Sequence, residues 1–235
     1  MTQGEAPDFE FGLFGRLRRD ARDAWEAYAS HPFLAALAAG RLPRAGFQTY
    51  LIQDYLFLID YARAYALAAH KSDSLEEMTA ASQTMAALLA VEMPLHIAYC
   101  GEWGISEAEL QAARPDLRMT AYTSFVLARG SSGDRLDLDV ALAPCLAGYA
   151  AIAERLLAAP ETVLEGNPYA PWIRLYAGPA YRAVAAAAIR ALDQSGARRG
   201  AETRYPALLA TFRTACLLEA QFWDIGWHDQ AAERP

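Results

Sequence analysis

The stretch TYLIQDYLFLIDY, residues 49–61, carries apolar residues every three or four positions and lies within a predicted helix over residues 43–70. This spacing gathers the apolar side chains on one side of the helix, where they can pack against other helices. Similar spacing continues almost throughout the chain, and no convincing period-two alternation indicates a strand. The sequence therefore predicts an all-α protein built as a multi-helix bundle.

Glycine, proline and polar residues interrupt this pattern and divide the chain into ten predicted helices. The predicted helices cover residues 10–29, 33–39, 43–70, 74–101, 106–112, 117–129, 136–159, 168–175, 178–194 and 202–229. The stretch GSSGD at 130–134 is expected to be the most flexible loop. No linker is long enough to separate two domains, so we expect a single helical domain over residues 1–235, with short flexible tails at about 1–9 and 230–235.

The composition bounds the class of protein and its partners. Hydrophobic residues make up 54% of the chain and charged residues 21%, which excludes disorder for most of it. The net charge of −7 argues against nucleic acid or an anionic membrane surface as the main partner. The acidic opening MTQGEAPDFEFG does not resemble a secretory signal, and charges or prolines interrupt each long apolar stretch. We therefore expect a soluble cytoplasmic protein.

Three acidic residues have mostly apolar neighbours at helical spacing, and a buried carboxylate needs a hydrogen-bond partner, a counter-charge or a proton. Asp54 and Glu219 have no cation one helical turn away, so we interpret them as candidate functional residues. Glu92 has His96 four residues further on, and an internal bond between these two side chains is the simpler interpretation for it.

A cysteine that follows a proline stands out in ALAPCLAGYAAIAERL, residues 141–156. Pro144 removes one backbone hydrogen bond, so the helix must bend there or begin again. If it begins again, Cys145 lies near a helix N-terminus, where the helix dipole lowers the pKa of a thiol. Taken alone, Cys145 is better explained as a small buried side chain, and so, more strongly, are Cys100 and Cys216.

Seven short blocks, present in order along nearly the whole chain, together resemble the TenA family, also called thiaminase II, which has the heme-oxygenase-like helical fold. The blocks are HPF at 31–33, LIQDYLFL at 51–58, VEMPLH at 91–96, AYTSF at 121–125, APCLAGYAAIAERL at 143–156, WIRLYAGPAY at 172–181 and LEAQFW at 218–223. Because it has a cysteine in the fifth block, the chain resembles the subgroup of this family whose nucleophile is a thiol.

The resemblance implies hydrolysis of pyrimidines derived from thiamin: release of 4-amino-5-hydroxymethyl-2-methylpyrimidine from its aminomethyl analogue, and slower cleavage of thiamin itself. It implies that Cys145 adds to the pyrimidine ring, that Glu219 bonds a ring nitrogen and shuttles its proton, and that an ionised Asp54 holds the amino edge. It further implies a substrate pocket lined by aromatic side chains, namely Phe57, Tyr122, Tyr149, Tyr176 and Phe222. The resemblance implies no metal or organic cofactor. It also implies that the protein forms a homotetramer.

Two positions depart from the family's pattern. Phe57 occupies a position where tyrosine is common, so one hydroxyl donor is missing from the expected pocket. A lost hydrogen bond of this kind weakens binding or rate by about 0.5–1.5 kcal/mol, which favours a slower enzyme or one adapted to a related pyrimidine. Tyr181 stands where the family has phenylalanine, which is a milder change.

Two other functions remain open at this point. The first is a non-catalytic pyrimidine-binding or regulatory protein on the same scaffold, for which Phe57 is the motivating residue. The second is a metal-dependent oxidase of the same fold. Its candidate ligands are Asp54, Glu92, His96, Glu219, Asp224 and His228. The usual Glu-x-x-His pair of di-iron bundles is absent from the sequence, which argues against the oxidase.

Overall fold

The computed structural model describes residues 6–228 and confirms the all-α prediction, since no strand occurs in that part of the chain. The helices that it contains are α1 (Gly12–Asp20), α2 (Arg22–Ala29), α3 (Pro32–Ala38), α4 (Arg44–His70), α5 (Leu75–Ala87), α6 (Met93–Glu102), α7 (Glu107–Ala112), α8 (Leu117–Ser132), α9 (Arg135–Ala158), α10 (Ala170–Tyr176), α11 (Pro179–Arg198) and α12 (Ala201–His228). The tails predicted at about 1–9 and 230–235 lie outside the described residues, except for residues 6–9, which precede α1.

The segment predicted as one helix over 10–29 is two helices, because the backbone leaves the helical region at Ala21 (φ −101°, ψ 29°). The predicted loop at 130–134 is largely helical, which corrects the sequence prediction. Helix α8 continues through Ser132, whose hydroxyl donates to the carbonyl of Ala128 at 2.7 Å. The ammonium of Lys71 donates to the carbonyl of Gly133 at 2.8 Å and so fixes the short turn that follows.

The segment predicted as one helix over 74–101 contains a π-helical turn, Leu88–Glu92, between α5 and α6. Pro94 follows the turn at the start of α6 and has no amide hydrogen to donate. A π turn adds one residue to a helix and rotates every later side chain relative to the earlier ones. The side chains of α6, with His96 among them, are therefore rotated relative to those of α5.

The chain groups into two compact units. The first unit combines the residues up to Leu42 with Asp139–Ala220, and the second combines Pro43–Leu138 with the residues from Gln221 onward. Helices α9 and α12 therefore contribute residues to both units. The single-domain organisation expected from the sequence stays a prediction.

The core of the first unit is built on an aromatic group from α1, α2 and α12. The ring of Phe14 meets Trp25 at 5.9 Å and Phe212 at 5.8 Å between centroids, both edge to face, and Trp25 meets Tyr28 at 5.7 Å. Edge-to-face pairs of buried rings add about 0.5–1.5 kcal/mol each beyond their burial. This group anchors Tyr28, which contacts the backbone next to Cys145.

The second unit is organised around α4, which packs against α5, α6 and α8. The ring of Tyr50 on α4 lies 6.0 Å from Phe222 and 5.5 Å from Trp223, both on the last turns of α12. Buried aromatic side chains thus surround the middle of α4, where Asp54 and Phe57 lie. The core of this unit therefore surrounds half of the predicted site residues.

Two helical stretches, Leu75–Glu102 and Arg135–Ala158, are long and apolar enough to cross a membrane by length and composition alone. Both contain a proline, Pro94 in the first and Pro144 in the second, as the sequence led us to expect. In Arg135–Ala158, 78% of the most apolar window is buried in the protein, as in the core helix of a soluble protein. In Leu75–Glu102 the buried share is 11%, so this stretch exposes much of its apolar surface.

Candidate active site

A group of nearly parallel rings lies around Phe57 in the second unit. The ring of Phe57 lies 5.5 Å from Tyr61 and 5.4 Å from Tyr122, at interplanar angles of 25° and 23°. Phe222 lies 5.7 Å from Phe57 at a steeper angle of 59°. The structure therefore brings together three of the predicted pocket residues from α4, α8 and α12. Flat rings in this arrangement suit a flat aromatic ligand.

Asp54 lies one helical turn before Phe57 on α4 and is buried, with 8% of its surface exposed. Burial raises the pKa of Asp54 above its ordinary value, and the facing imidazole of His96 lowers it in part. The net direction is opposite to the ionised state expected from the sequence.

His96 faces Asp54 in the structure and does not pair with Glu92. The Nδ1 atom of His96 lies 3.5 Å from Oδ2 of Asp54, and its Nε2 atom lies 2.9 Å from the carbonyl oxygen of Leu51. No hydrogen bond or ion pair joins His96 to Glu92 within the described part of the chain, so the predicted bond between them is wrong. The physical reason is tertiary packing, because both ring nitrogens of His96 face groups of α4 instead.

Glu92 lies at the edge of this cluster. Its surface is exposed in the single chain, yet its carboxyl is packed closely enough that burial, together with the nearby charge of Asp54, raises its pKa to about 7. The same two causes raise the pKa of the buried Cys100 thiol to about 12.

Cys145 lies in the first unit inside a continuous helix, because α9 runs from Arg135 to Ala158 through Pro144. The interpretation that a new helix begins at Pro144 and lowers the pKa of the thiol by its dipole is therefore wrong. The hydroxyl of Tyr28, on α2, donates to the carbonyl of Pro144 at 3.2 Å. Cys145 is partly exposed, in contrast to the fully buried Cys100 and Cys216.

Tyrosines pack side by side close to Cys145 in sequence. Tyr149 follows one turn later on α9, and its ring lies 4.9 Å from Tyr176 on α10. Tyr176 in turn lies 4.8 Å from the ring of Tyr181, edge to face. The hydroxyl of Tyr181 donates to the carbonyl of Leu146 at 3.3 Å. The extra hydroxyl at position 181 is therefore bonded to the backbone of α9 next to Cys145.

Glu219 is almost completely buried, with 1% of its surface exposed, on α12. Cys216 precedes it by one helical turn, and burial and the charge of Glu219 raise the pKa of that thiol well above its ordinary value. Cys216 is consequently a neutral thiol at physiological pH. This agrees with its interpretation as a structural residue.

The eight predicted site residues fall into two sets of four, one in each unit. The second unit holds Asp54, Phe57, Tyr122 and Phe222, and the first holds Cys145, Tyr149, Tyr176 and Glu219. That the two sets line one pocket stays a prediction. Sequence reasoning missed His96 as the partner of Asp54 and Tyr28 as the partner of Pro144, because neither contact is local in the chain.

The metal-dependent oxidase finds no support in the described residues, where no group of three or more His, Cys, Asp or Glu side chains could hold a metal ion. Asp54 and His96 contact each other, which is a pair rather than a set of ligands. The side chain of His228 lies outside those that the structure describes.

A family profile described as the TENA/THI-4/PQQC family matches residues 18–229, which is most of the chain. The chain belongs to this family. The TenA resemblance seen in the sequence blocks is thereby confirmed.

Three known proteins illustrate the similarity. A protein of Halalkalibacterium halodurans named aminopyrimidine aminohydrolase is 38% identical over 216 residues, which cover 91% of this chain and 95% of that protein. The solved structure of a Silicibacter protein, described as a TenA family transcription regulator, is 45% identical with a TM-score of 0.87 and covers 93% of this chain and 98% of that one. A Shewanella denitrificans domain with a heme oxygenase-like fold has a TM-score of 0.72 at 13% identity, with 92% of each chain covered, and so shows the fold alone.

Proposed function

We propose that this protein is an aminopyrimidine aminohydrolase, or thiaminase II, acting in thiamin salvage. It hydrolyses 4-amino-5-aminomethyl-2-methylpyrimidine to the hydroxymethyl pyrimidine and ammonia. The observation that carries the proposal is a buried carboxylate, Asp54, one turn from the ring group of Phe57, Tyr122 and Phe222. Such a site offers an acceptor for an exocyclic amine and flat faces for an aromatic ring. Similarity to a named aminopyrimidine aminohydrolase supports the same substrate class.

The proposed reaction uses covalent catalysis by Cys145. Direct displacement of the amine is poor, because the amine sits on a methylene attached to an aromatic ring. The thiolate of Cys145 adds to a ring carbon while Glu219 gives a proton to a ring nitrogen, so that aromaticity is broken. Electrons from the ring then expel the amine from the methylene, and it leaves as ammonia because the substrate amine is protonated as an ammonium group. Water adds to the methylene and releases one proton to the solvent, the proton on the ring nitrogen returns to Glu219, and the thiolate departs as aromaticity is restored.

The test of this proposal is release of ammonia and hydroxymethyl pyrimidine from the aminomethyl substrate. Cys145→Ala removes the proposed nucleophile, and Cys216→Ala is the matched control that removes a buried thiol. We expect turnover by the parent and by Cys216→Ala, and loss of at least about 1,000-fold in Cys145→Ala, as for other essential catalytic groups. Activity that survives in Cys145→Ala would refute the covalent mechanism.

A second candidate function is a pyrimidine-binding regulatory protein. Two observations favour it: the description of the similar Silicibacter structure as a transcription regulator, and Phe57 in place of a hydroxyl donor. It predicts that the parent binds hydroxymethyl pyrimidine tightly without turnover, whether or not Cys145 is intact. The same assay, combined with a binding titration, therefore separates the two functions.

We also propose that the protein is a cytoplasmic homo-oligomer, a tetramer by resemblance to its family. The apolar surface exposed along α5 and α6 supports this, since Leu95 exposes 65% of its surface in the single chain. A second copy of the same chain would cover such a surface in a symmetric assembly. We expect Leu95→Glu to lower the mass measured by light scattering, and Leu175→Glu, equally exposed at 61% on α10, to leave it unchanged. An unchanged mass for Leu95→Glu would place the interface elsewhere.

A further inference from the structure

The interaction between His96 and Asp54 is not local, and it connects α6 to the middle of α4. His96 Nδ1 lies 3.5 Å from Asp54 Oδ2, and both side chains are largely buried, with 10% and 12% of their surfaces exposed. Within the part of the chain that the structure describes, His96 is the only cationic or potentially cationic side chain at ion-pair distance from Asp54. The pair is therefore shielded from water and from bulk counter-ions.

The other ring nitrogen of His96 fixes how the imidazole can be protonated. A backbone carbonyl can only accept a hydrogen bond, so Nε2, at 2.9 Å from the carbonyl of Leu51, must carry a hydrogen. The other ring nitrogen, Nδ1, is the one that faces Oδ2 of Asp54, at an ion-pair separation of 3.5 Å. Because Leu51 lies one turn before Asp54 on α4, both ring nitrogens of His96 face the same stretch of helix.

The other titratable groups around Asp54 do not perform this role. Glu92, from the π turn, and Cys100, from α6, are the other titratable groups affected by Asp54, and burial, with a smaller contribution from the charge of Asp54, raises the pKa of both and favours their protonated forms. Neither brings a positive charge to Asp54. Only His96 among these groups can compensate a buried carboxylate, whose burial would otherwise favour the neutral acid.

We propose that His96 is a positioning residue for Asp54, which it orients through Oδ2 so that Oδ1 can accept a hydrogen bond from the 4-amino group of a pyrimidine. This rests on the proposed function in so far as the ligand is an aminopyrimidine. His96 does not touch the reacting atoms and acts through Asp54. The arrangement resembles the carboxylate–histidine pairs that fix the orientation of ligand-binding groups in other sites.

Two conservative substitutions separate the two bonds of His96. In His96→Gln the amide nitrogen takes the place of Nε2 and can still donate to the Leu51 carbonyl, but the donor to Asp54 is lost. In His96→Asn the amide nitrogen takes the place of Nδ1 and can still donate to Asp54. His70→Gln is the matched control, because His70 is exposed and lies at the end of α4, the helix that carries Asp54.

The readout is affinity for hydroxymethyl pyrimidine, measured by calorimetry, and for the same compound without its 4-amino group. We expect His96→Gln to weaken binding of the amino compound by about 10- to 100-fold, which is the range for a hydrogen bond to a charged group. We expect a smaller loss for His96→Asn, none for His70→Gln, and almost none for the deaminated compound. Equal losses for both compounds, or no loss in His96→Gln, would overturn the positioning role.

Nitrogen-15 NMR of histidine-labelled parent protein tests the geometry without any ligand. The signal that disappears in His96→Gln should carry a hydrogen on Nε2, and an unprotonated Nε2 would overturn the arrangement. Turnover of the aminomethyl substrate by the parent is measured in parallel. Binding without turnover would remove the proposed reaction while the affinity comparison still decides the role of His96, and absence of pyrimidine binding would refute both.

Discussion

Gly148→Ala probes the contact that holds the backbone next to Cys145. A Cβ atom at position 148 would lie 2.8 Å from Cε1 of Tyr28 and 3.0 Å from its hydroxyl. These separations are shorter than carbon contacts allow, so one of the two groups must move. Tyr28 is fully buried against Trp25, and its ring cannot swing into solvent. The hydrogen bond from Tyr28 to the carbonyl of Pro144 is therefore the contact most directly displaced.

The expected cost combines three effects. Overpacking a well-filled core costs about 1–3 kcal/mol, and loss of the Tyr28 hydrogen bond costs about 0.5–1.5 kcal/mol. Replacing glycine by alanine inside a helix returns about 1 kcal/mol. The free energy of unfolding should therefore fall by about 0.5–3.5 kcal/mol in Gly148→Ala. For a chain of this size that is a fall in melting temperature of about 1–14 °C, at about 2–4 °C per kcal/mol.

Gly101→Ala is the matched control, because position 101 is also helical and a Cβ there would meet nothing within 4 Å. It should raise the free energy of unfolding, by up to about 1 kcal/mol, through helix propensity alone. The assay is thermal and urea unfolding of both variants beside the parent, followed by circular dichroism. The reasoning is refuted if Gly148→Ala is as stable as Gly101→Ala or more so.

Three further predictions follow from the described contacts. Phe57→Tyr restores a hydroxyl beside the ring group, and steady-state kinetics should show a rise in kcat/KM of about 2- to 12-fold for the aminomethyl substrate; an unchanged value would exclude the missing hydroxyl as a limit on this enzyme. Iodoacetamide at pH 8 should label Cys145 alone in the folded protein. Burial raises the pKa of the other two thiols, to about 12 at Cys100, and so keeps them protonated. Mass spectrometry that locates the label on either buried thiol would contradict this prediction. Lys71→Met removes the ammonium that binds the turn after α8, so hydrogen exchange should accelerate at residues 130–134, whereas unchanged protection would show that the helix holds without it.

Helix periodicity was sufficient to predict the class of the fold, because an apolar stripe at three- and four-residue spacing can be buried only by packing against other helices. Helix α4 lies at Arg44–His70, one residue from the start predicted for it. The composition of residues 130–134 predicted a loop, whereas helix α8 continues through Ser132. There the distant side chain of Lys71 and the packing of Gly130 against Leu67 and Leu138 favour helix over loop.

The sequence also sufficed to single out Asp54, Glu219 and Cys145, since their residue types conflict with the apolar neighbours that helical spacing gives them. Its prediction that Glu92 pairs with His96 failed because the i, i+4 rule considers one helix alone. In the structure His96 faces Asp54 and Leu51 of another helix, α4, which local spacing does not predict.

What the sequence by itself determined is therefore the helical class, the family and the identity of the residues that can carry chemistry, because these depend on residue type and local spacing. Only the tertiary structure decided which other groups contact these residues. It placed His96 against Asp54, placed Tyr28 against Pro144 and kept α9 continuous through Cys145. Contacts between residues some 40 or 120 positions apart depend on how helices pack, and packing is set by the whole core rather than by the spacing along any one segment.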